Sequence, residues 1–133
     1  MISRSDLKKV ARGRLQDAEI LLHRRRYDGA IYLCGYAVEI ALKARICQTL
    51  NWPDFPSTRG EFENLSSFRT HKLDVLLHLS GREEAIKIKA RLLKEWSAVA
   101  KWEPEFRYRP MGSAKRADAL EMINSTKAIM GQL

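Results

Sequence analysis

The sequence contains only two cysteines, Cys34 and Cys47, among its 133 residues. They stand thirteen positions apart within one predicted helix, so they lie about 20 Å from each other on different sides and cannot form an intramolecular disulfide. Neither belongs to a Cys-x-x-Cys or Cys/His pair of the kind that binds zinc or carries redox chemistry. The cysteines therefore indicate buried free thiols in a reducing compartment.

Long apolar runs are also missing. The longest ones cover only a few residues, whereas a membrane-spanning helix needs about 20. The stretch from Met1 to Lys9 carries too much charge for a secretory signal peptide. We therefore expect a soluble, cytoplasmic protein that forms one domain, residues 1–133, and makes no contact with a membrane.

Histidine is scarce, with only His23, His71 and His78 available for acid–base or metal chemistry. The spacing of His71, Asp74 and His78 favours one helical face, but two imidazoles seven residues apart are separated by about 10 Å along a helix, too far to bind one ion. No Ser/His/Asp motif and no glycine-rich phosphate loop occurs. The sequence therefore predicts no metal site, no cofactor and no catalytic residue.

Basic residues, by contrast, are abundant. The chain has 24 Lys and Arg against 16 Asp and Glu, for a formal net charge of +8. The excess lies in two segments: residues 1–26 hold eight basic and three acidic side chains, and residues 101–116 hold five and two. This balance favours an anionic partner, but it produces one basic face only if the two segments meet in space.

Helical periodicity recurs along the chain and strand-like alternation does not. The pattern predicts an all-α fold, an up-and-down antiparallel bundle of four main helices plus one short helix. The predicted helices begin at Ser5 or Asp6, at Asp28 as a cap, at 71 (the short helix, ended by Gly81), at 83 and at Ser113 as a cap. The first ends in the basic run 23–26, and the others end near 50, 79, 101 and 130. Ile88 in the fourth helix and Ala117 in the last are expected to face inward. Residues 51–70, with two prolines, are predicted to form a long loop.

Glu39 is the first charged residue after the start of the central second helix. Its simplest partner is Lys43, one helical turn further on. The alternative is that Glu39 faces a polar pocket and orients an arginine from another part of the chain.

Aromatic and basic residues alternate after the fourth helix, at Lys101-Trp102 and again from Phe106 to Arg109. Arginine forks pair with phosphates and aromatic faces stack on bases, so this pattern is typical of sites for single-stranded RNA or a nucleotide. An equally physical interpretation is that the aromatic rings fill the gap between two helix ends while the arginines cap carbonyls.

Three segments in the first half of the chain resemble the first helical hairpin of HEPN domains (higher eukaryotes and prokaryotes nucleotide-binding). They are Ala18–Leu22, Arg26–Tyr32 and Ala37–Ala44. The later pieces Thr70–Leu73, Trp102 and Arg107-Tyr108 follow in the order that this family shows before its last helix. The similarity covers most of the chain apart from residues 51–68.

The resemblance implies a helical bundle that forms dimers and belongs to prokaryotic toxin–antitoxin or defence modules, often beside a minimal nucleotidyltransferase. Active members are metal-independent RNases in which an arginine is followed, after four to six residues, by a histidine. Arg107 matches the arginine, but positions 112–114 are Gly112, Ser113 and Ala114. Arginine cannot replace the imidazole as a general acid or base, so we expect no RNase activity of this type.

These observations leave three hypotheses. The first is a non-catalytic, dimeric HEPN-like protein that binds a nucleotide, RNA or a nucleotidyltransferase partner; its predicted site residues are Arg107, Tyr108, Arg109, Glu39, Lys115, Arg25 and Arg26. In this site Glu39 orients Arg107, while Arg109 and Lys115 bind phosphate. The second hypothesis is a subunit that only contacts other proteins. The third is a degenerate RNase whose base comes from elsewhere, such as His71.

Overall fold

Six α-helices account for most of the chain in the computed structural model, which describes residues 1–133. They are α1 (Arg4–His23), α2 (Tyr27–Thr49), α3 (Leu73–Ser80), α4 (Glu83–Lys87), α5 (Ala90–Val99) and α6 (Arg116–Met130). The only strands are β1 (Ile2–Ser3) and β2 (Asp54–Phe55), which pair antiparallel with Ile2 opposite Phe55. The predicted all-α helical bundle is confirmed, and the number of helices is six instead of five.

The α2 helix lies at the centre of the bundle and packs against α1, α3 and α6. Its buried residues occur on several sides of the helix, as expected of an element surrounded by neighbours. Both cysteines are fully buried and free. Burial raises the pKa of the Cys34 thiol to about 11, so this thiol stays protonated and unreactive at neutral pH.

The first helix begins slightly earlier than predicted, because Ser3 caps it by accepting a hydrogen bond from the Asp6 backbone N–H at 3.0 Å. It ends at His23, and the three arginines that follow form the turn into α2. Arg25 adopts a left-handed backbone conformation with φ of 60°. The short turn folds α2 back along α1 as an antiparallel hairpin.

The predicted loop at 51–70 contains β2 and a single 3₁₀ turn at Ser66–Phe68. Phe55 holds the loop to the bundle, since it is 1% exposed and its ring centroid lies 5.6 Å from Nζ of Lys43 on α2. The next helix, α3, begins at Leu73 and ends at Gly81, whose φ of 75° is the left-handed cap that glycine favours.

The predicted fourth helix is in fact two, α4 and α5, separated by Ile88 and an extended Lys89. Ile86 and Leu92 are both buried. They are six residues apart, which in one continuous helix would place them about 120° out of phase. The break at Lys89 lets both face the core, and Ile88, predicted to face inward, is 72% exposed instead.

The last helix also begins later than predicted, at Arg116 instead of Ser113. Asp118 caps it by accepting a hydrogen bond from the Lys115 backbone N–H at 2.9 Å, whereas the Ser113 hydroxyl donates to the Pro110 carbonyl. The shift turns Ala117 outward and brings Ala119 and Met122 into the core. None of the six helices combines the length and the apolar character that crossing a membrane demands.

Candidate functional site

Trp102 fixes the segment that follows α5 against the centre of the bundle. Its indole Nε1 donates a hydrogen bond to the Tyr32 carbonyl at 3.1 Å, and its ring centroid lies 5.2 Å from that of Tyr36. The indole lies directly over Gly35, where a Cβ atom would come within 2.0 Å of the ring. The 3₁₀ turn at Pro104–Tyr108 is thereby held beside α2.

Arg107 lies on this turn among tyrosines. Its guanidinium carbon is 4.8 Å from the ring centroid of Tyr108, a distance at which a cation is attracted to the ring face. The neighbouring Tyr108, and then Tyr32, raise the pKa of Arg107 above its usual value. An arginine keeps its charge throughout the physiological pH range, and here the charge lies over the Tyr108 ring.

Tyr36 on α2 stays protonated near neutral pH. The neighbouring Tyr32, and then burial, raise the pKa of Tyr36 to about 12. Tyr32 and Tyr36 stand one helical turn apart, with ring centroids separated by 5.1 Å.

Arg109 stacks on the other aromatic residue of the turn. Its guanidinium carbon lies 3.2 Å from the ring centroid of Phe106. Tyr108 points away from the bundle and is 75% exposed. The segment therefore offers two guanidinium groups and one free aromatic face to solvent.

The two basic segments of the sequence meet in one cleft of about 500 Å³. The turn between α1 and α2 contributes Arg25 and Arg26, and the turn after α5 contributes Arg107 and Arg109. Aromatic side chains complete the walls: Tyr27, Tyr32 and Phe106. We refer to this site as the arginine cleft, and four of the seven predicted site residues line it.

A second crevice of about 450 Å³ shares Arg25 and Tyr27 with the arginine cleft. Its other lining residues are Leu22, His23 and Arg116. The basic surface thus continues toward the start of α6. Arg116 belongs to the basic segment 101–116, and Tyr27 and Tyr32 belong to the family-like segment Arg26–Tyr32. They were not predicted as site residues, because their place depends on how α6 and α2 pack.

Asp28 ties the loop after the arginine cleft to the start of α2. Its carboxylate accepts hydrogen bonds from the Gly112 backbone N–H at 2.7 Å and from that of Ala114 at 2.9 Å. Asp28 was predicted to cap α2, but it lies inside the first turn and its oxygens bind the loop instead. The loop positions where an RNase histidine would stand are therefore held by an aspartate.

The prediction that Glu39 orients Arg107 is wrong. Glu39 lies seven residues beyond Tyr32, about 10 Å further along α2, and its carboxylate is 2.6 Å from His71 Nδ1 and 3.5 Å from Lys43 Nζ. The simpler pairing with Lys43 is present. The Arg107 guanidinium instead lies over the Tyr108 ring.

Lys115 is also displaced from its predicted role. It is exposed, directly precedes α6 and does not line the arginine cleft. Lys115 occupies the N-cap position of α6, which begins at Arg116. Its side chain lies in solvent.

The histidines and aspartate at 71, 74 and 78 have separate partners. His71 contacts Glu39, Asp74 accepts a hydrogen bond from Trp96 Nε1 at 2.9 Å, and His78 lies 3.6 Å from Glu83. No group of three His, Cys, Asp or Glu side chains is arranged to hold a metal ion.

The arginine cleft has the chemistry of an anion-binding site. Guanidinium groups form paired hydrogen bonds with phosphate oxygens, and aromatic rings stack on bases. None of the residues that line the cleft is a histidine, a carboxylic acid other than the loop-bound Asp28, or a cysteine. The cleft therefore has the side chains to hold an anion.

Comparison with known proteins identifies one family. The family model described as HEPN domain matches residues 5–132, nearly the whole chain. No curated protein and no solved structure matches the sequence significantly.

Proposed function

Because the chain belongs to the HEPN domain family, we propose that it binds single-stranded RNA in the arginine cleft without cutting it. The observation that carries the proposal is the meeting of Arg25 and Arg26 with Arg107 and Arg109. Four guanidinium groups on one cleft provide several phosphate contacts. The exposed Tyr108 ring supplies a stacking surface for a base.

Binding without cleavage is supported by the composition of the cleft. RNA cleavage without a metal requires a group that takes the proton of a 2′-hydroxyl, most often an imidazole. Gly112, Ser113 and Ala114 occupy the positions where the family's RNases carry that histidine, and Asp28 holds the backbone there. His71, the base of the degenerate-RNase hypothesis, is bound to Glu39 outside the cleft.

The wider setting is part of the same proposal. Family membership favours a homodimer that acts in a prokaryotic toxin–antitoxin or defence module, in the cytoplasm, with a nucleotidyltransferase as protein partner. A subunit that only contacts proteins is the competing function, and the RNA-binding experiment separates the two.

The experiment measures the fluorescence anisotropy of a labelled single-stranded RNA, with salt varied from about 50 to 200 mM. We expect the affinity of the wild-type protein to fall as salt rises. Arg107→Ala should weaken binding about tenfold, which corresponds to about 1.4 kcal/mol. Lys94→Ala, at an exposed position on α5 outside the arginine cleft, serves as the matched control and should bind as the wild type does.

Two results would contradict the proposal. Equal, weak binding by the wild type and by Arg107→Ala at every salt concentration would favour the protein-contact function. Shortened RNA on a denaturing gel after incubation with the wild-type protein would show that the chain cuts its ligand.

A further inference from the structure

Glu39 is a buried charge that the arginine cleft does not use. It is 3% exposed, and its two carboxylate oxygens contact His71 Nδ1 and Lys43 Nζ at 2.6 and 3.5 Å. A carboxylate withdrawn from water is tolerated only when such partners compensate it. Glu39 therefore holds both side chains in defined positions.

The His71 side chain is 61% exposed, whereas the side chain of Glu39 is buried. A carboxylate only accepts hydrogen bonds, so Nδ1 of His71 carries the hydrogen that Glu39 binds. The other ring nitrogen, Nε2, is left for a further partner. An exposed imidazole is thus fixed in one tautomer and one orientation by a buried group.

His71 lines a cavity of about 350 Å³, bounded by α1, α2 and the loop that carries Phe55. Most of its walls are apolar: Leu7, Val10, Ile40, Phe55 and Phe62. Basic side chains from two parts of the chain, Lys43 and Arg69, also line it. A small volume with apolar walls and a few convergent polar groups is the usual form of a small-molecule site.

The cavity is separate from the arginine cleft, since no residue lines both. Its charges are also arranged differently. Glu39 neutralises Lys43, which leaves the Arg69 guanidinium and the outer nitrogen of His71 for a ligand. The Arg69 guanidinium can donate to two oxygens of a phosphate group. Nε2 of His71 accepts in this tautomer, so it can bind the P–OH hydrogen of a monoanionic phosphate monoester.

We propose that this cavity binds a phosphate monoester with an apolar or aromatic body. The phosphate contacts Arg69 and His71, and the body packs against Phe55 and its apolar neighbours. Glu39 acts as a positioning residue because it holds His71 and Lys43 and does not itself touch the ligand. This site does not depend on RNA binding in the arginine cleft.

Isothermal titration calorimetry of the full chain with naphthyl phosphate tests the proposal. We expect naphthyl phosphate to bind at least about tenfold more tightly than naphthol or inorganic phosphate, because each of these lacks one half of the contacts. Arg69→Met and His71→Asn should each lose at least about tenfold in affinity. Asparagine keeps a donor for Glu39 but removes the second ring nitrogen.

One variant serves as a control. Arg91→Met removes an exposed arginine of α5 that lies outside the cavity. It should bind naphthyl phosphate as the wild type does, and unchanged denaturant midpoints show that all variants are folded. The proposal is overturned if naphthyl phosphate binds no better than naphthol, or if Arg69→Met and His71→Asn bind normally.

Discussion

Gly35 determines where Arg107 can stand. The Trp102 indole is 4% exposed and lies against the bare backbone of α2 at this glycine. Trp102 in turn fixes the turn that carries Arg107. Because Gly35 has no side chain, Trp102 can pack closely on α2, and this packing determines where Arg107 lies in the arginine cleft.

Gly35→Ala should destabilise the protein by about 1–3 kcal/mol, the usual cost of overpacking a core, because the new methyl would lie 2.0 Å from the indole. The measurement is urea unfolding followed by tryptophan fluorescence. The affinity for RNA should fall as well, because a shift of the Trp102 indole would also displace the turn that carries Arg107.

Gly13→Ala is the matched control for this substitution. Gly13 lies within α1, and no atom lies within 4 Å of an added Cβ. Its replacement should raise stability by up to about 1 kcal/mol, because alanine is the better helix former. Equal effects of the two substitutions would show that the contact of Trp102 with Gly35 does not constrain the fold.

At the scale of the elements, the loop at 110–114 depends on α2 for its conformation. Asp28 binds two of its backbone N–H groups, and Gly112 adopts a φ of 82°. Apart from Ala114, which is partly buried, the side chains of this loop are exposed. Because the side chains of the loop pack so little, the two hydrogen bonds to Asp28 restrain its backbone.

Asp28→Asn should release this loop, because an amide offers one acceptor oxygen where the carboxylate offers two. A hydrogen bond to a charged group contributes about 1.5–3 kcal/mol, so amide hydrogen exchange at Gly112 and Ala114 should accelerate at least about tenfold. Asp17→Asn, at an exposed ion pair of α1, should leave that exchange unchanged. Unaltered exchange in Asp28→Asn would show that the loop is ordered by other contacts.

The break between α4 and α5 shows how far periodicity predicts an element. Residues 83–101 fit one helical pattern in sequence, and both halves are helical in the structure. The apolar pattern did not reveal the break at Lys89. It shows which residues are apolar, but it does not show that Ile86 and Leu92 must point in the same direction to reach the core. That direction depends on the surfaces of the neighbouring helices.

At the scale of the whole molecule, part of the excess positive charge is concentrated in the arginine cleft. The turn after α1 and the turn after α5 lie about 80 residues apart in the chain, and the bundle brings them to one cleft. Basic residues elsewhere, such as Lys8 and Lys9 on α1, remain on the general surface. The arrangement concentrates positive potential where a phosphate backbone can be bound.

The salt dependence of RNA binding should reflect this arrangement. For a single strand, each phosphate contact contributes about −0.7 to the slope of log affinity against log salt concentration. Replacing any one of Arg25, Arg26, Arg107 or Arg109 by alanine should reduce the magnitude of the slope by about that amount. The double variant Lys8→Ala/Lys9→Ala should keep the wild-type slope, and an equal reduction there would show that net charge alone drives binding.

The sequence by itself determined the all-α class, the two buried thiols, the family resemblance and the lack of the RNase histidine. These follow from residue identities and from contacts between positions three or four apart, which repeat along every helix. The sequence also singled out Arg107, Arg109, Arg25 and Arg26 as candidates, because local charge and aromatic spacing marked them. It did not show that these four side chains line a common cleft.

Only the tertiary structure decided which distant residues meet. In the fold, Glu39 contacts His71, 32 positions away, instead of Arg107. Asp28 accepts a hydrogen bond from the Gly112 backbone, 84 positions away. The fold also exposed Lys115 and divided the fourth predicted helix. The physical reason is that side-chain partners across a bundle are set by the packing and rotation of whole helices, which no local pattern in the sequence records.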